Sequence, residues 1–142
     1  MHRGCFVKGE SLEGWYQMKK ANLKKIAGLV LLGLALSKLS AGDRETFLAW
    51  ARKPYACVIF NLHIEHTSAG RARARDAFRR LIDIGITHGG SYYPTYHRHA
   101  LRQQVEACYP QFSAFLAEKR RHDPHERFQS DWYRHYKTMF GA

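Results

Sequence analysis

The chain has few acidic residues and few cysteines for its size. Its 142 residues include 12 Asp and Glu against 23 Lys and Arg, so the formal net charge is +11. A field of this sign attracts phosphates, carboxylates, nucleic acid and anionic membranes, and it does not choose among them. The 3 cysteines lie far apart and form no CxxC pair. This spacing argues against a disulfide framework or a zinc site and favours a reducing, cytoplasmic compartment.

Short motifs of several enzyme classes are also missing from the sequence. It contains no GxSxG, no Walker loop and no GxGxxG, and the pair Gly89 and Gly90 is too short to cradle a phosphate. His63 and His66 have the HxxH spacing. Residues three apart on a strand face opposite sides, however, so these two could not share an ion there. We therefore expect no metal site.

The first 42 residues differ in pattern from the rest and lack a long apolar run. From Met18 the chain contains several lysines, then an apolar run over 26–36 and then small residues. This is the layout of a secretory signal, although it begins after residue 17 rather than at the first residue. The run is shorter than the ~18 apolar residues of a transmembrane helix. Three interpretations stay open: a signal behind a misplaced start, an amphipathic helix packed on the body, or a segment joined by truncation. We favour the helix and expect no membrane contact, although 18–42 leaves export open.

What the sequence does contain is typical of a folded domain with a core. Hydrophobic residues make up 45% of the chain and charged residues 25%. Much of the charge lies in two blocks, 71–80 and 118–127, which are typical of solvated helix faces. We divide the chain into a divergent segment, 1–42, and a C-terminal portion, 43–142.

The C-terminal portion predicts an α+β fold with a small antiparallel sheet, helices packed on one face and a helical C-terminal tail. Asp43 is placed to cap a helix over 43–50. Residues 55–66 alternate like a strand whose second face turns polar along its length. A turn follows at 67–70, and helical periodicity then continues to about Thr87, where Gly89 and Gly90 end it. The remaining helices are expected over 101–108, after Pro110 and near Asp123, and WYRHYKTMF closes the chain.

The stretch GGSYYPTYHRHA, residues 89–100, is unusual because it crowds tyrosines, histidines and an arginine behind a glycine pair. Side chains of this kind are costly to bury unless they are paired. The stretch is therefore either an exposed polar loop or the lining of a site for something polar and planar.

A resemblance carries the argument further. The order of CVIFNLHIEHT, AFRRLIDIGITHGGSYYPTYHR and YPQFSAFLAEKRRHDPHERFQSDWYRHY resembles the C-terminal part of FAD-dependent oxidoreductases of the vanillyl-alcohol oxidase and berberine-bridge type. It covers roughly residues 43–140 and departs at Pro94 and His99, where an aliphatic residue and a tryptophan are expected. The resemblance implies a cap or substrate portion that is inactive alone. FAD is bound mainly by a domain of the same enzyme that is absent from this chain.

The same resemblance implies a chemistry for the polar stretch. Such enzymes pass a hydride from a small organic substrate to flavin, and a nearby cation with hydrogen-bond donors stabilises the negative charge that develops. Tyr96 would donate to a substrate hydroxyl or take a proton from it. The implied site comprises Tyr96, His97 and Arg98 as catalytic groups, Tyr93, His97 and Arg98 as flavin contacts, and Asn61 and His63 as substrate contacts.

Two alternatives remain beside the flavin interpretation. The stretch 89–100 could be a hydrogen-bonded structural loop, and the chain could be a small basic binding module for an anionic partner such as nucleic acid. The second alternative rests only on charge and aromatics, and the aromatics of the tail are spaced like helix faces. The expected partners are therefore the FAD-binding domain and a small-molecule substrate, without nucleic acid.

Overall fold

The computed structural model describes residues 2–8, 38–40, 43, 45–52, 55–95 and 97–142. Helices are the predominant structure of this part. They are α1 (Ser68–Thr87), α2 (Arg102–Cys108), α3 (Phe112–His122) and α4 (Asp131–Phe140). The helices predicted to end at about Thr87, over 101–108 and after Pro110 are thereby confirmed, as is the helical C-terminal tail. The helix expected near Asp123 is wrong: residues 123–130 form turns and irregular backbone, and the Asp123 carboxylate accepts from the backbone N–H groups of Arg127 and Phe128. The expected helix in the apolar run 26–36 lies outside the described residues.

Four strands accompany the helices. They are β1 (His2–Lys8), β2 (Lys38–Ser40), β3 (Tyr55–Leu62) and β4 (Ser91–Tyr92). The strands pair in the order β2-β3-β1-β4, and every neighbouring pair is antiparallel. Phe6 of β1 lies opposite Val58 of β3 on one side and opposite Tyr92 of β4 on the other. Residues 2–8 thus pair with two strands of the C-terminal portion.

The strand predicted over 55–66 is shorter in the structure, where it ends at Leu62. Its alternation nevertheless continues past the last paired residue, because Leu62 and Ile64 are buried while His63 and Glu65 are exposed. The chain then turns at Thr67 to begin α1. His63, Glu65 and His66 therefore belong to the connection rather than to the strand, whereas Asn61 lies within β3.

The helix predicted over 43–50 is wrong, since the described residues there form turns and bends. Asp43 does accept hydrogen bonds from the backbone N–H of Glu45 and Thr46, as a capping residue would. The following carbonyls are used elsewhere: Ala51 O accepts from Asp43 N, and Phe47 O accepts from the Gln111 side chain. A helix this short is marginal by itself, and the tertiary bonds determine the conformation.

Helix α1 has the ends that its sequence predicts. The Thr67 hydroxyl accepts a hydrogen bond of 3.0 Å from Gly70 N at the start of the helix. At the other end Gly89 has φ +66°, a left-handed conformation that favours glycine. The buried stripe of the helix comprises Gly70, Ala74, Ala77, Phe78, Leu81 and Ile82.

The core against which α1 packs is rich in aromatic side chains. Tyr92, Tyr109, Phe112 and Tyr136 are fully buried together with Phe78 of α1. The first four rings form tilted and edge contacts with one another, for example 4.8 Å between the centroids of Phe112 and Tyr136, and Phe78 joins this set through the ring of His97. These rings connect α1, α3 and α4 beneath the loop 91–100.

Candidate functional site

The backbone of the loop 91–100 is held by side chains from outside the loop. The Tyr109 hydroxyl donates to Tyr92 O, the Trp132 indole N–H donates to Pro94 O at 3.0 Å, and Arg79 Nε donates to His99 O at 2.8 Å. Arg79 lies in α1, Tyr109 directly follows α2, and Trp132 lies in α4. The loop is therefore positioned through its carbonyl groups by three separate elements.

Gln104 connects the same elements a second time. Its side chain is buried, and its amide donates to Arg79 O at 2.9 Å and to the Asp83 carboxylate at 2.6 Å. Its carbonyl oxygen accepts from Leu101 N at 2.9 Å. The two bonds from the amide join α1 to α2, and the third fixes Leu101 at the start of α2, directly after the loop. Gln104 thereby fixes where the chain leaves the loop.

The imidazole of His97 lies inside the core. The residue is 6% exposed, and its ring centroid lies 4.2 Å from that of Phe78, 5.3 Å from that of His99 and 6.1 Å from that of Tyr92. His97 thus packs behind the loop as part of the ring stack.

Arg98 points the other way and is exposed. Its charge acts on α4: burial, and after it the positive charge of Arg98, lower the pKa of His135. Burial raises the pKa of Tyr136, and the Tyr92 hydroxyl and the charge of Arg98 oppose that rise. Arg98 therefore lies beside the face of α4 that carries His135 and Tyr136.

The Tyr136 hydroxyl lies beside the hydroxyl of a second buried tyrosine, Tyr92. Tyr92 and Tyr136 are completely buried, and burial followed by the proximity of Tyr136 raises the pKa of Tyr92. A hydrogen-bond contact between the two hydroxyls raises the pKa of Tyr92 and lowers that of Tyr136, although within the described ranges neither hydroxyl makes a hydrogen bond of normal geometry. The same holds for Nε2 of His135, whose ring lies 4.9 Å from that of Tyr136. We call Tyr92, Arg98, His135 and Tyr136 the hydroxyl cluster.

The hydroxyl cluster has a definite chemical character. Buried polar atoms usually have hydrogen-bond partners, so several such atoms in one place require an explanation. The raised pKa values keep both tyrosines protonated at neutral pH, and the lowered pKa keeps His135 neutral. The cluster therefore offers two hydroxyl donors, one neutral imidazole and one cation. This set suits an oxygen atom that carries or develops negative charge.

The predicted site residues are placed as follows. Arg98 joins the hydroxyl cluster, His97 lies in the core, and Tyr93 is half-buried with its ring edge-on to Trp50 at 5.8 Å. Tyr96 lies outside the described residues. His63 is exposed beyond the end of β3. Asn61 lies in β3 opposite Arg3 of β1, and its side chain is not among the described features.

The sequence alone did not identify three members of the hydroxyl cluster, which are Tyr92, His135 and Tyr136. Tyr92 and Tyr136 occupy core positions, where the periodicity that identifies a core residue is the same for Tyr and Phe. The signal that could have indicated them is the WYRHY segment itself, which adds a histidine and two hydroxyls to an apolar helix face. Its proximity to the loop depends on tertiary packing between segments about 40 residues apart in the sequence.

Two further properties of the described part bear on function. No group of three or more His, Cys, Asp or Glu side chains gathers within these ranges in a way that could hold a metal ion. Each helix described here is too short or too polar to span a membrane.

Comparison of the chain with protein-family models, with curated proteins and with solved structures found no match.

Proposed function

We propose that this chain is the C-terminal, substrate-facing portion of a FAD-dependent oxidoreductase of the type that its sequence resembles. In this proposal the strands form one small antiparallel sheet with the helices on one face, and the assembly covers the flavin. FAD is held mainly by another domain of the same enzyme, so the chain alone is inactive. A small organic substrate lies between the two parts.

The observation that carries the proposal is the convergence of two segments that the resemblance singles out separately. Arg98 from the loop and Tyr136 from α4 act on each other electrostatically, and the Trp132 indole donates to Pro94 O between them. Their meeting point holds two buried hydroxyls that contact each other without a hydrogen bond of normal geometry among the described residues. A convergent polar group of this kind at the edge of an aromatic core is a typical ligand site.

The residues present fit a flavin reaction. FAD, when bound, would accept the hydride. The Arg98 guanidinium would stabilise the negative charge that develops, and Tyr92 and Tyr136 would donate hydrogen bonds to an oxygen of the substrate or of the flavin edge. His135, which is neutral and has a buried Nε2 atom, would accept a proton from a substrate hydroxyl.

The proposal predicts where flavin touches the isolated chain. We expect millimolar FAD to shift the NMR signals of residues 91–99 and 131–136 in the isotope-labelled chain, whereas ADP at the same concentration leaves them in place. The two ligands share the adenosine diphosphate, so their difference isolates the flavin ring. Binding is weak because a phosphate-cradling loop is missing from the sequence.

Two variants sharpen this experiment. Arg98→Ala removes the cation of the hydroxyl cluster and should abolish the FAD-specific shifts. Arg71→Ala is the control, because Arg71 is exposed on α1 and its side chain donates to His66 O, away from the hydroxyl cluster. Equal shifts with FAD and ADP, shifts confined to α1, or a stoichiometric flavin that survives gel filtration would each contradict the proposal.

The alternative of a small basic module for an anionic partner receives less support from the described residues. Its candidate surface is the arginine-rich face of α1. There Arg73 pairs with Glu65 at 2.5 Å and Arg75 with Asp76 at 3.4 Å, so part of the positive charge is already neutralised. Strongly salt-dependent shifts on α1 with any polyphosphate would favour this alternative.

A further inference from the structure

The connection between α3 and α4 exposes a large aromatic side chain. Phe128 is 81% exposed, compared with 48% for Phe47 and 37% for Leu101. A single exposed apolar residue is ordinary on a protein surface. What distinguishes Phe128 is how the chain around it is held.

The backbone at Phe128 is fixed by one carboxylate. Asp123 accepts hydrogen bonds from Arg127 N at 2.9 Å and from Phe128 N at 3.0 Å, one with each oxygen. Lys119 of α3 lies 2.5 Å from the same carboxylate, and both side chains of this ion pair are largely buried. The peptide groups next to Phe128 are therefore tied to the end of α3.

A second carboxylate fixes the middle of the connection. Glu126 has φ +49°, a left-handed conformation that costs a non-glycine residue roughly 1 kcal/mol or more. Its carboxylate accepts from the Tyr133 hydroxyl at 2.7 Å and from Lys137 at 2.6 Å and 2.7 Å. Lys119 also lies 4.4 Å above the Tyr133 ring, which joins the two anchors. The fold thus maintains a costly backbone conformation here.

The charges around Phe128 are separated by sign. The acidic side chains of the connection, Asp123 and Glu126, are engaged by Lys119 and Lys137. The exposed basic and imidazole residues are Arg120, Arg121, His122, His125 and Arg127, and the exposed carboxylate of Asp131 is paired with Arg134. Of these, Arg121 pairs with Glu118 at 2.7 Å. An exposed phenyl ring therefore stands within a predominantly cationic surface.

We propose that the connection 123–130 is a preformed docking loop that inserts Phe128 into an apolar pocket with a carboxylate rim on a partner protein. Aromatic and arginine side chains dominate binding energy at protein interfaces. A loop already fixed in one conformation loses little entropy when it binds. Charge complementarity with the exposed arginines selects the acidic rim. This proposal does not depend on the flavin proposal.

A protein partner fits these residues better than a nucleic acid does. Single-stranded nucleic acids bind where several aromatic rings follow a cationic groove and stack successive bases. The docking loop presents one such ring, and Arg121 at the neighbouring end of α3 is already paired with Glu118. A pocket that receives a single anchor matches the surface more closely.

The test measures binding of synthetic probes to the whole chain by fluorescence anisotropy. The probes are a fluorescein-labelled helical-hairpin peptide with a cleft of Leu and Phe rimmed by Glu, the same peptide with Gln for Glu, and a fluorescein-labelled oligothymidylate. We expect the acidic peptide to bind most tightly of the three. Phe128→Ala should weaken its binding by about tenfold or more, as loss of an interface anchor does.

Matched variants distinguish specific binding through Phe128 from non-specific hydrophobic binding. Phe47→Ala, which removes another exposed phenyl ring, should leave binding unchanged. Asp123→Asn keeps Phe128 but weakens the ion pair with Lys119, and it should lower the affinity while circular dichroism shows the helices intact. The proposal is overturned if the acidic peptide does not bind, if Phe128→Ala binds it like the wild type, or if the oligothymidylate binds more tightly.

Discussion

Two buried tyrosines illustrate how differently one side chain type is used in this core. The Tyr109 hydroxyl donates to the backbone oxygen of Tyr92. The Tyr136 hydroxyl is equally buried, yet among the described residues it makes no hydrogen bond of normal geometry. A buried hydroxyl without a hydrogen-bond partner lowers the free energy of unfolding, whereas a hydrogen-bonded one raises it. The two positions therefore have opposite effects on stability.

The same substitution at these two positions should reveal the difference. We expect Tyr109→Phe to lower the free energy of unfolding by about 1–2 kcal/mol, because it leaves Tyr92 O without its donor. Tyr136→Phe should leave the free energy of unfolding unchanged or raise it, because it removes a hydroxyl that lacks a well-formed partner. Urea denaturation of both variants measures this. An equal loss in both would mean that the Tyr136 hydroxyl is well paired and that the hydroxyl cluster is structural.

At the scale of elements, the start of α1 is restricted by backbone contact. A Cβ atom on Gly70 would lie 2.3 Å from Glu65 O, in the segment that precedes the helix. That segment is anchored by the buried side chain of Ile64 and by the Thr67 cap. It therefore has little room to move away from α1. Gly70 is needed for close approach rather than for a special backbone conformation.

Gly70→Ala should consequently destabilise the chain even though alanine favours helices. The gain in helix propensity is at most ~1 kcal/mol, and the collision with backbone is expected to cost about 2–3 kcal/mol. Gly89→Ala serves as the comparison, since its Cβ would enter open space and only its φ of +66° is strained. We expect Gly89→Ala to lower the free energy of unfolding by about 1 kcal/mol. A Gly70→Ala chain as stable as the wild type in urea would show that 63–67 can move.

The elements also show which features a sequence can predict. Helix α1 follows from its apolar stripe and its capping residues, which act within one or two turns of the chain. The segment 43–50 has a capping aspartate too, but its carbonyls bond to Asp43 N and Gln111. Those partners are not visible in local periodicity. Likewise the hydroxyl cluster depends on where α4 meets the loop, so only Arg98 of its members was identified from the sequence.

At the scale of the whole molecule, paired carboxylates make stability dependent on pH. Hydrogen bonding to Lys119, and the backbone N–H groups of Phe128 and Arg127, lower the pKa of Asp123 to about 2. Hydrogen bonds to basic partners similarly lower the pKa of Glu118, Glu126 and Asp131. A group whose pKa is lower in the folded state stabilises the fold above its unfolded pKa and loses that effect in acid.

We therefore expect the free energy of unfolding to fall as the pH decreases from about 5 towards 2. The accumulating positive charge of a chain that already carries +11 acts in the same direction. Asp123→Asn should be less stable at neutral pH but should show a shallower acid dependence. Urea midpoints at several pH values measure both effects. A midpoint in acid that equals or exceeds the neutral value would rule out these ion pairs as stabilising contacts.

The three anchors of the loop 91–100 have a consequence for how its sequence can vary. Each anchor recognises a backbone oxygen, that of Tyr92, Pro94 or His99, and every amino acid supplies such an oxygen. The side chains of exposed loop positions such as Thr95 and Arg98 can therefore be exchanged without loss of the contacts that shape the loop. Tyr109, Trp132 and Arg79 cannot be exchanged so easily. Divergence of ligand preference among descendants of this chain should accumulate in the loop, while the three donors persist.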